Sequence, residues 1–282
     1  MIRRSLRRRK IVDRAVRVLS TLAAAAGIAA LAWILWVVLQ RGAAAINWDL
    51  FTKAVTPPGI AGGGVGNALL GSAMLVGVAI VLGVPVGILA GVYLAEFGHD
   101  SRFGAAVRFS SNVMMGIPSI IVGLFVFALI VVPLQHYSGW AGSVALAILM
   151  VPVVSRTTED MLGLVPNSLR ESALALGAPR WKVTLQVVFR AARAGLLTGV
   201  LLAVARVSGE TAPLLFTALN SPYWPSSLNG PTANLTVTIF NRAMSPYPDW
   251  QQLAWGASFI VTVAVLALNV SSRLILKRGS GD

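Results

Sequence analysis

Apolar residues occur in long runs along the chain, and short polar or charged stretches separate these runs. The runs cover residues 18–39, 67–95, 112–134, 140–154, 196–219 and 253–276. At a rise of about 1.5 Å per residue, most of them are long enough, when helical, for a hydrocarbon core of about 30 Å. The pattern predicts an all-α, polytopic membrane protein with six transmembrane helices.

The first apolar run follows a basic segment, residues 1–17, which contains eight Lys or Arg and one acidic residue. A secretory signal peptide begins in the same way, and Ala43–Ala45 offers a small-residue cleavage site. The apolar run is nevertheless longer than the roughly 7–15 residues of a signal peptide. We therefore predict a retained first helix, one transmembrane domain over residues 18–278 and a short tail at 279–282.

The charge distribution predicts an orientation and excludes a nucleic-acid partner. The chain is 56% hydrophobic and 12% charged, with a mean hydropathy of +0.76 and a net charge of +13. With a six-span arrangement, 19 Lys or Arg fall on the side of both termini and three on the other side. Positive residues concentrate on the cytoplasmic side of membrane proteins, which predicts an N-in, C-in topology.

Several chemistries have no basis in the composition. The chain has no cysteine, which excludes disulfides, thiol nucleophiles and Cys-ligated zinc. Its two histidines, His99 and His136, lie far apart, so we expect no metal site. No G-x-x-x-x-G-K-[ST] stretch is present, so we expect no ATP bound through a P-loop.

The fifth apolar run, residues 196–219, contains Arg206 and Glu210 near its middle. A charge at the centre of a membrane helix costs about 2.5–3.5 kcal/mol on insertion scales. In a continuous helix, residues four apart share a face, so the two side chains are predicted to pair. The pair has two interpretations, a structural ion pair or part of a substrate pathway. Gly209 and Pro213 predict an irregular helix close to the charges.

The longest charged segment, residues 155–194, contains a predicted short helix at 166–177. Asn167 or Ser168 can cap its start, and Gly177 with Pro179 ends it. Three apolar residues at a spacing of three to four form one face: Leu169, Ala173 and Leu176. Such a helix either lies on the membrane surface or docks a soluble partner.

Glu171-Ser172-Ala173 followed by Gly177 resembles the EAA loop of bacterial ABC importer permeases. In that family the loop forms a coupling helix that inserts into the ATP-binding subunit. The resemblance implies that Glu171, Ala173 and Gly177 dock there and that loop 166–180 transmits coupling. Ser172 replaces the middle alanine. Phe189-Arg190 stand where the family has Leu-Pro, which affects the bend into the fifth span.

Three further segments, 205–220, 116–125 and 235–247, resemble phosphate-specific permeases of the PstA type. The resemblance implies an ATP-driven importer of inorganic phosphate in the bacterial cytoplasmic (inner) membrane. It implies four kinds of partner: a second permease of the PstC type, an ATP-binding dimer of the PstB type, an extracytoplasmic phosphate-binding protein of the PstS type, and membrane lipid. ATP and Mg would be bound by the ATPase, with no cofactor on this chain.

Under this resemblance, Arg206 contacts phosphate transiently, because guanidinium stays charged when buried and matches oxyanion geometry. Glu210 would hold Arg206 between cycles, and Ser208 and Thr211 would donate hydrogen bonds nearby. The polar segment 220–252 is expected outside the membrane, where it would meet the binding protein. The alternatives are a permease for another oxyanion or phosphonate, a membrane enzyme using Glu210, and a structural scaffold.

Overall fold

The structure, a computed structural model, describes residues 2–60, 62–98 and 100–279. Within these ranges, side chains are described from residue 8 to residue 274. The described residues form helices and no strand. His99 and most of the predicted tail at 279–282 lie outside the described residues. In chain order the α-helices are α1 (Ile2–Ala43), α2 (Trp48–Thr52), α3 (Gly66–Val92), α4 (Arg102–Gly116), α5 (Ser119–Val126), α6 (Val132–Leu134), α7 (Gly139–Gly163), α8 (Asn167–Ala175), α9 (Arg180–Lys182), α10 (Phe189–Ser208), α11 (Ala212–Thr217), α12 (Leu235–Ala243) and α13 (Pro248–Gly279).

Three π-helical turns continue helices where a regular α-helix would end. They are Tyr93–Phe97 after α3, Phe127–Val131 between α5 and α6, and Val183–Val188 between α9 and α10. Within the described residues, five helices are long and apolar enough to cross a membrane: Arg8–Ala43, Gly66–Phe97, Gly139–Gly163, Arg180–Ser208 and Pro248–Leu274. A sixth span results if the bent pair α4 and 119–134 counts as one. The predicted all-α, polytopic fold is therefore confirmed, whereas the N-in, C-in topology stays a prediction.

The third apolar run does not form the straight helix predicted for residues 112–134. Helix α4 already begins at Arg102, ends at Gly116 and is bent by 104° from the segment that starts at Ser119. Pro118 lacks a backbone N–H and disfavours the helical conformation of the residue before it, and Ile117 is accordingly extended at φ −73°, ψ 131°. The third apolar run therefore lies in two helices joined at Ile117 and Pro118.

The polar segments next to the fourth and sixth runs are more helical than predicted. Helix α7 continues nine residues past the expected end at Val154, and Arg156 and Asp160 form an i,i+4 ion pair on the surface of this extension. Helix α13 starts at Pro248, five residues before the expected Leu253. The fifth run, predicted to be helical over 196–219, is instead interrupted after Ser208.

Helices α3 and α7 approach each other through a stripe of glycines on α3. Gly83, Gly87 and Gly91 recur every fourth residue and therefore share one face. A Cβ on Gly87 would lie 2.7 Å from the Val154 side chain, and one on Gly91 would lie 2.5 Å from the Thr158 side chain. Small residues at such spacing let membrane helices pack backbone to backbone. The α3–α7 pair forms the centre of the bundle.

The main apolar cluster surrounds this contact and joins α3, α7, α10 and α11. Its fully buried members include Leu75, Leu146, Met150 and Ala203. A second apolar cluster, against which Ala173 of α8 packs, contains Leu162, Val183 and Val188.

The sequence predicted that segment 220–252 lies outside the membrane. In the structure, part of this segment is buried in the bundle. Asn234, Val237 and Thr238 are at most 1% exposed, and Leu235 belongs to an apolar cluster with Val65 and Ala68. The chain folds back between α3 and α13 because α12 has one strongly apolar face.

Replacing Gly87 with leucine is expected to destabilise the bundle by roughly 1–3 kcal/mol, because the added side chain has no space against Val154. Gly77→Ala is the matched control on the same helix, since no atom lies within 4 Å of the added Cβ. Thermal unfolding of the purified chains in detergent would measure both. Equal unfolding midpoints for Gly87→Leu and Gly77→Ala would contradict the role of the glycine stripe.

Candidate translocation and coupling sites

Helix α10 ends in the middle of the bundle, at Ser208. Gly209 follows at φ −95°, ψ 0°, and the N–H groups of Gly209 and Glu210 bond the carbonyls of Arg206 and Val207 at 3.2 and 3.1 Å. Residues 210 and 211 are not helical, and α11 begins at Ala212 with Pro213 at its second position. Proline suits a first helical turn, where its missing donor leaves no bond unmade. The predicted irregularity near the charges is therefore a complete break.

The break separates Arg206 from Glu210, so the predicted i,i+4 ion pair does not exist in this structure. Glu210 lies beyond the last helical residue and no longer shares a helix face with Arg206. Within the described part of the chain, Arg206 has no ion pair or side-chain hydrogen bond. Its side chain is exposed, while Glu210 is half-buried. No contact among the described residues therefore supports Glu210 as a holder of Arg206, and that role stays a prediction.

The hydroxyl groups next to the break differ in their availability. Ser208 Oγ donates to the carbonyl of Val204 at 2.7 Å, a bond within its own helix. Thr211 is half-buried and has no side-chain hydrogen bond to the described residues. Of the two, Thr211 is the one with a free hydroxyl.

The contacts of α10 with α7 place Arg206 at mid-depth. The helices run antiparallel, since Gly195 packs on Met161 and Gly199 packs on Thr157. Continuing this register brings Arg206 level with Met150, near the middle of the 25-residue α7. Counting from Gly195 along the helix gives a depth of about 16 Å, which agrees with that position. The backbone of Arg206 therefore lies level with the middle of α7, a helix long enough to span a membrane.

A buried polar network holds the chain beyond the break. Asn234 Nδ2 donates to the carbonyl of Leu219 at 2.9 Å, and Asn234 Oδ1 accepts from Val237 N at 3.0 Å as the N-cap of α12. Thr236 Oγ1 donates to the carbonyl of Glu210 at 2.9 Å, and Ser72 Oγ on α3 accepts from Leu235 N at 2.8 Å. Sequence reasoning missed this network, although Asn-x-x before an apolar run is a helix-cap signal.

Arg242, counted from the sequence as an external-loop charge, is buried at the C-terminal end of α12. Only 7% of it is exposed, and its guanidinium carbon lies 4.3 Å from the centre of the Trp250 ring. Burial lowers the pKa of Arg242 to about 10, so the group stays charged at neutral pH. Trp250 in turn donates to the carbonyl of Thr56 at 3.2 Å. Through Trp250, Arg242 thereby connects α12 to the segment after α2.

The predicted coupling segment contains a compact helix with a sharp end. Helix α8 closes with a Schellman motif, because Gly177 N bonds the Leu174 carbonyl at 2.9 Å and Ala178 N bonds the Ala173 carbonyl at 3.2 Å. Gly177 has a left-handed φ of +83°, which side chains with a Cβ disfavour. Pro179 then starts the next helix. The sequence predicted this end correctly.

The start and the faces of α8 differ from the prediction. Pro166 occupies the cap position without a side-chain cap bond, and Asn167 is already helical. Glu171 and Gly177 are exposed, whereas Ala173 packs against the chain's own apolar cluster of Leu162 and Val183. Leu176, expected on the apolar face, is 89% exposed. The surface of α8 available to a partner therefore includes Glu171, Leu176 and Gly177 but little of Ala173.

The described part of the chain forms a bundle with five or six apolar segments that could each cross a membrane, as in a multi-pass membrane protein. Residues 83–278 match the family model described as "Binding-protein-dependent transport system inner membrane component". The chain belongs to this family and is a multi-pass protein of the cytoplasmic membrane.

Curated relatives carry the same resemblance along almost the whole chain. The protein is 47% identical to "Phosphate transport system permease protein PstA" of Yersinia pestis, over 96% of this chain and 92% of the relative. It is 48% identical to the PstA permease of Haemophilus influenzae, over 95% of each chain. These comparisons confirm the resemblance to PstA-type permeases.

A solved structure of the MetNI methionine ABC transporter shares the fold. The TM-score is 0.58 at 18% identity, covering 76% of this chain and 94% of that chain. The predicted ABC importer permease fold is thus confirmed.

Replacing Asn234 with alanine is expected to destabilise the protein by roughly 2–4 kcal/mol, since it removes a helix cap and leaves the Leu219 carbonyl unpaired. Asn229→Ala is the control, because Asn229 is exposed and accepts only from Trp140 Nε1. Thermal unfolding in detergent compares the two. An unchanged midpoint for Asn234→Ala would show that the network does not stabilise the break.

Proposed function

We propose that this chain is the permease subunit of an ATP-driven importer of inorganic phosphate. The observation that carries the proposal is Arg206, which is exposed, has no partner among the described residues and lies directly before a helix break, level with the middle of α7. The relatives named phosphate transport permeases support the choice of substrate. Phosphate presents a tetrahedral set of oxygens that a guanidinium fork can bind in pairs.

Arg206 contacts phosphate during passage, and the break exposes further polar groups to the same space. Thr211 supplies a hydroxyl donor and Ser208 a second one when its bond to Val204 opens. Glu210 lines the pathway as a half-buried carboxylate close to Arg206 in sequence. Its negative charge disfavours tight anion binding, so that phosphate is released rather than trapped.

Other subunits supply the energy and the substrate. A PstB-type dimer binds ATP and Mg and hydrolyses ATP, a PstC-type permease completes the pathway, and a PstS-type protein delivers phosphate from outside. This chain binds no cofactor of its own. The exposed end of α8 supports the coupling role, since Glu171 and Gly177 are accessible to the ATPase. Ala173 contributes by fixing α8 on the bundle rather than by contact with the ATPase.

Arg206→Gln is expected to lower phosphate uptake at least about tenfold, because a charged hydrogen bond to the anion is lost. Uptake of radiolabelled phosphate by proteoliposomes containing all four subunits, with and without ATP, measures this. Arg193→Gln is the matched control, since Arg193 is exposed on the same helix but close to its start.

The same assay distinguishes the substrate classes. Excess sulfate should not compete with phosphate uptake. Competition by phosphonate would indicate the alternative substrate specificity. Wild-type uptake by an assembled Arg206→Gln complex would contradict the pathway role of Arg206. An ATP-hydrolysing wild-type complex without phosphate uptake would contradict the choice of substrate.

Glu171→Gln and Gly177→Ala are expected to reduce the uptake obtained per ATP hydrolysed. The first removes an exposed charge from the docking surface, and the second forces a Cβ into a left-handed conformation at a cost of about 1–2 kcal/mol. Gly163→Ala is the control, because no atom lies within 4 Å of its added Cβ and its φ is not left-handed. A normal ratio of uptake to ATP hydrolysis in both variants would exclude docking through α8.

A further inference from the structure

At the α8 end of the bundle, one arginine of α8 joins two long helices. Arg170 Nη2 and Nε donate to Glu96 Oε1, in the π-helical turn that ends α3, at 2.8 and 3.2 Å. The same guanidinium donates to the carbonyls of Leu162 and Val165 at the end of α7, at 2.8 and 2.5 Å, and to Asn167 Oδ1 at 3.3 Å. These bonds employ every N–H donor that a guanidinium has.

A second arginine makes the reciprocal connection. Arg108 on α4 donates through Nε to Glu159 Oε1 on α7 at 2.6 Å. Its Nη2 and Nη1 donate to the carbonyls of Leu94 and Gly98, at the end of α3, at 2.9 and 3.3 Å. Each arginine thus pairs with a carboxylate of one long helix and binds the terminal carbonyls of the other. We call the pairs Arg170–Glu96 and Arg108–Glu159 the crossed clasp.

The side chains of the crossed clasp are largely shielded from solvent, which strengthens the connection between the helices. The four side chains are only 11–23% exposed, so water and salt screen them less than ordinary surface pairs. Removing one partner of such a pair leaves a poorly solvated charge behind. A lysine at position 170 could keep the charge but not the fork that reaches a carboxylate and two carbonyls together.

Helix α3 connects the crossed clasp to the break near Arg206. Its opposite end holds Asn67, whose amide donates to the carbonyls of residues 221–223, and Ser72, which accepts from Leu235 N. Thr236, on the same short helix as Leu235, bonds the carbonyl of Glu210. The 27 residues of α3 span about 40 Å. A displacement of its clasped end is therefore passed to the segment that surrounds the break.

We propose that the crossed clasp makes α8, α3 and α7 move as one unit, so that a displacement of α8 by the ATPase reaches the break beside Arg206. The inference rests on the proposed function, in which α8 docks on the ATPase. Arg170 is in this view a positioning residue, since it acts through α3 and contacts neither phosphate nor ATP. Glu96 and Arg108 belong to the same device.

The test uses the complete four-subunit complex in proteoliposomes and compares Arg170→Gln, Glu96→Gln and the double variant. We expect each single variant to lower the phosphate moved per ATP hydrolysed about tenfold, within the range of site-to-site coupling, and the double variant to lose no more than either single one. Basal ATP hydrolysis and its KM for ATP should stay within about twofold of wild type. Arg170→Lys should recover part of the loss.

Arg102→Gln is the control, because Arg102 is exposed on the same helix as Arg108 and has no ion pair in the described part of the chain. It should keep the wild-type ratio. A loss in Arg170→Gln with a normal ratio in Glu96→Gln would mean that Arg170 acts directly on the ATPase, which overturns the proposal. Normal ratios in both variants, or additive losses in the double variant, would also overturn it.

The wild-type complex separates this proposal from the proposed function. Phosphate uptake by wild type together with normal coupling in the variants would remove only the crossed clasp. If the wild-type complex does not move phosphate, the proposed substrate is wrong. In that case, the stimulation of ATP hydrolysis by the binding protein measures coupling in the same variants. Loss of this stimulation would support the crossed clasp, and wild-type stimulation would overturn it.

Discussion

The backbone contact between α3 and α7 sets the position of everything else in the bundle. Glycines at 83, 87 and 91 bring α3 so close that a single added Cβ would meet the side chains of Val154 or Thr158. Within a membrane, apolar burial alone does not drive helices together, so close van der Waals packing and polar contacts must do so. Helix α10 packs on a neighbouring face of α7 through Gly195 and Gly199. The depth of Arg206 follows from that register.

A second constraint is that every backbone polar group inside the bundle requires a partner. The break after Ser208 leaves carbonyls without helical donors, and side chains from distant parts of the sequence supply the bonds. Thr236 bonds the Glu210 carbonyl and Asn234 bonds the Leu219 carbonyl. The same requirement at the other end of the bundle is met by Arg108 and Arg170, which bind the last carbonyls of α3 and α7. Both regions proposed to take part in transport are thus places where helices stop and side chains complete the hydrogen bonding.

These two regions have different relationships to the local sequence. The end of α8 is determined locally, because Gly177 followed by Ala178 and Pro179 allows a Schellman motif and little else. The environment of Arg206 depends on Asn234 and Thr236, whose side chains come from about thirty positions further along the chain. A helical register could place Glu210 beside Arg206, but Gly209 and Pro213 favoured an interruption that separates the two. The crossed clasp joins Glu96 to Arg170 and Arg108 to Glu159, and no local pattern pairs residues so far apart.

The sequence by itself determined the apolar spans, the helical class, the family and the sharp end of α8, because hydrophobic length, glycine and proline act within a few residues of themselves. The bend before Pro118 was not predicted, although a proline limits the conformation of the residue before it. Only the tertiary structure decided that segment 232–238 is buried, that Arg242 lies over Trp250 and that Arg206 has no carboxylate partner among the residues that the structure describes. Burial and pairing depend on which surfaces meet after the helices assemble. The amphipathic pattern of a short helix such as α12 predicts that one face will be covered. Which helix covers that face depends on how the helices pack.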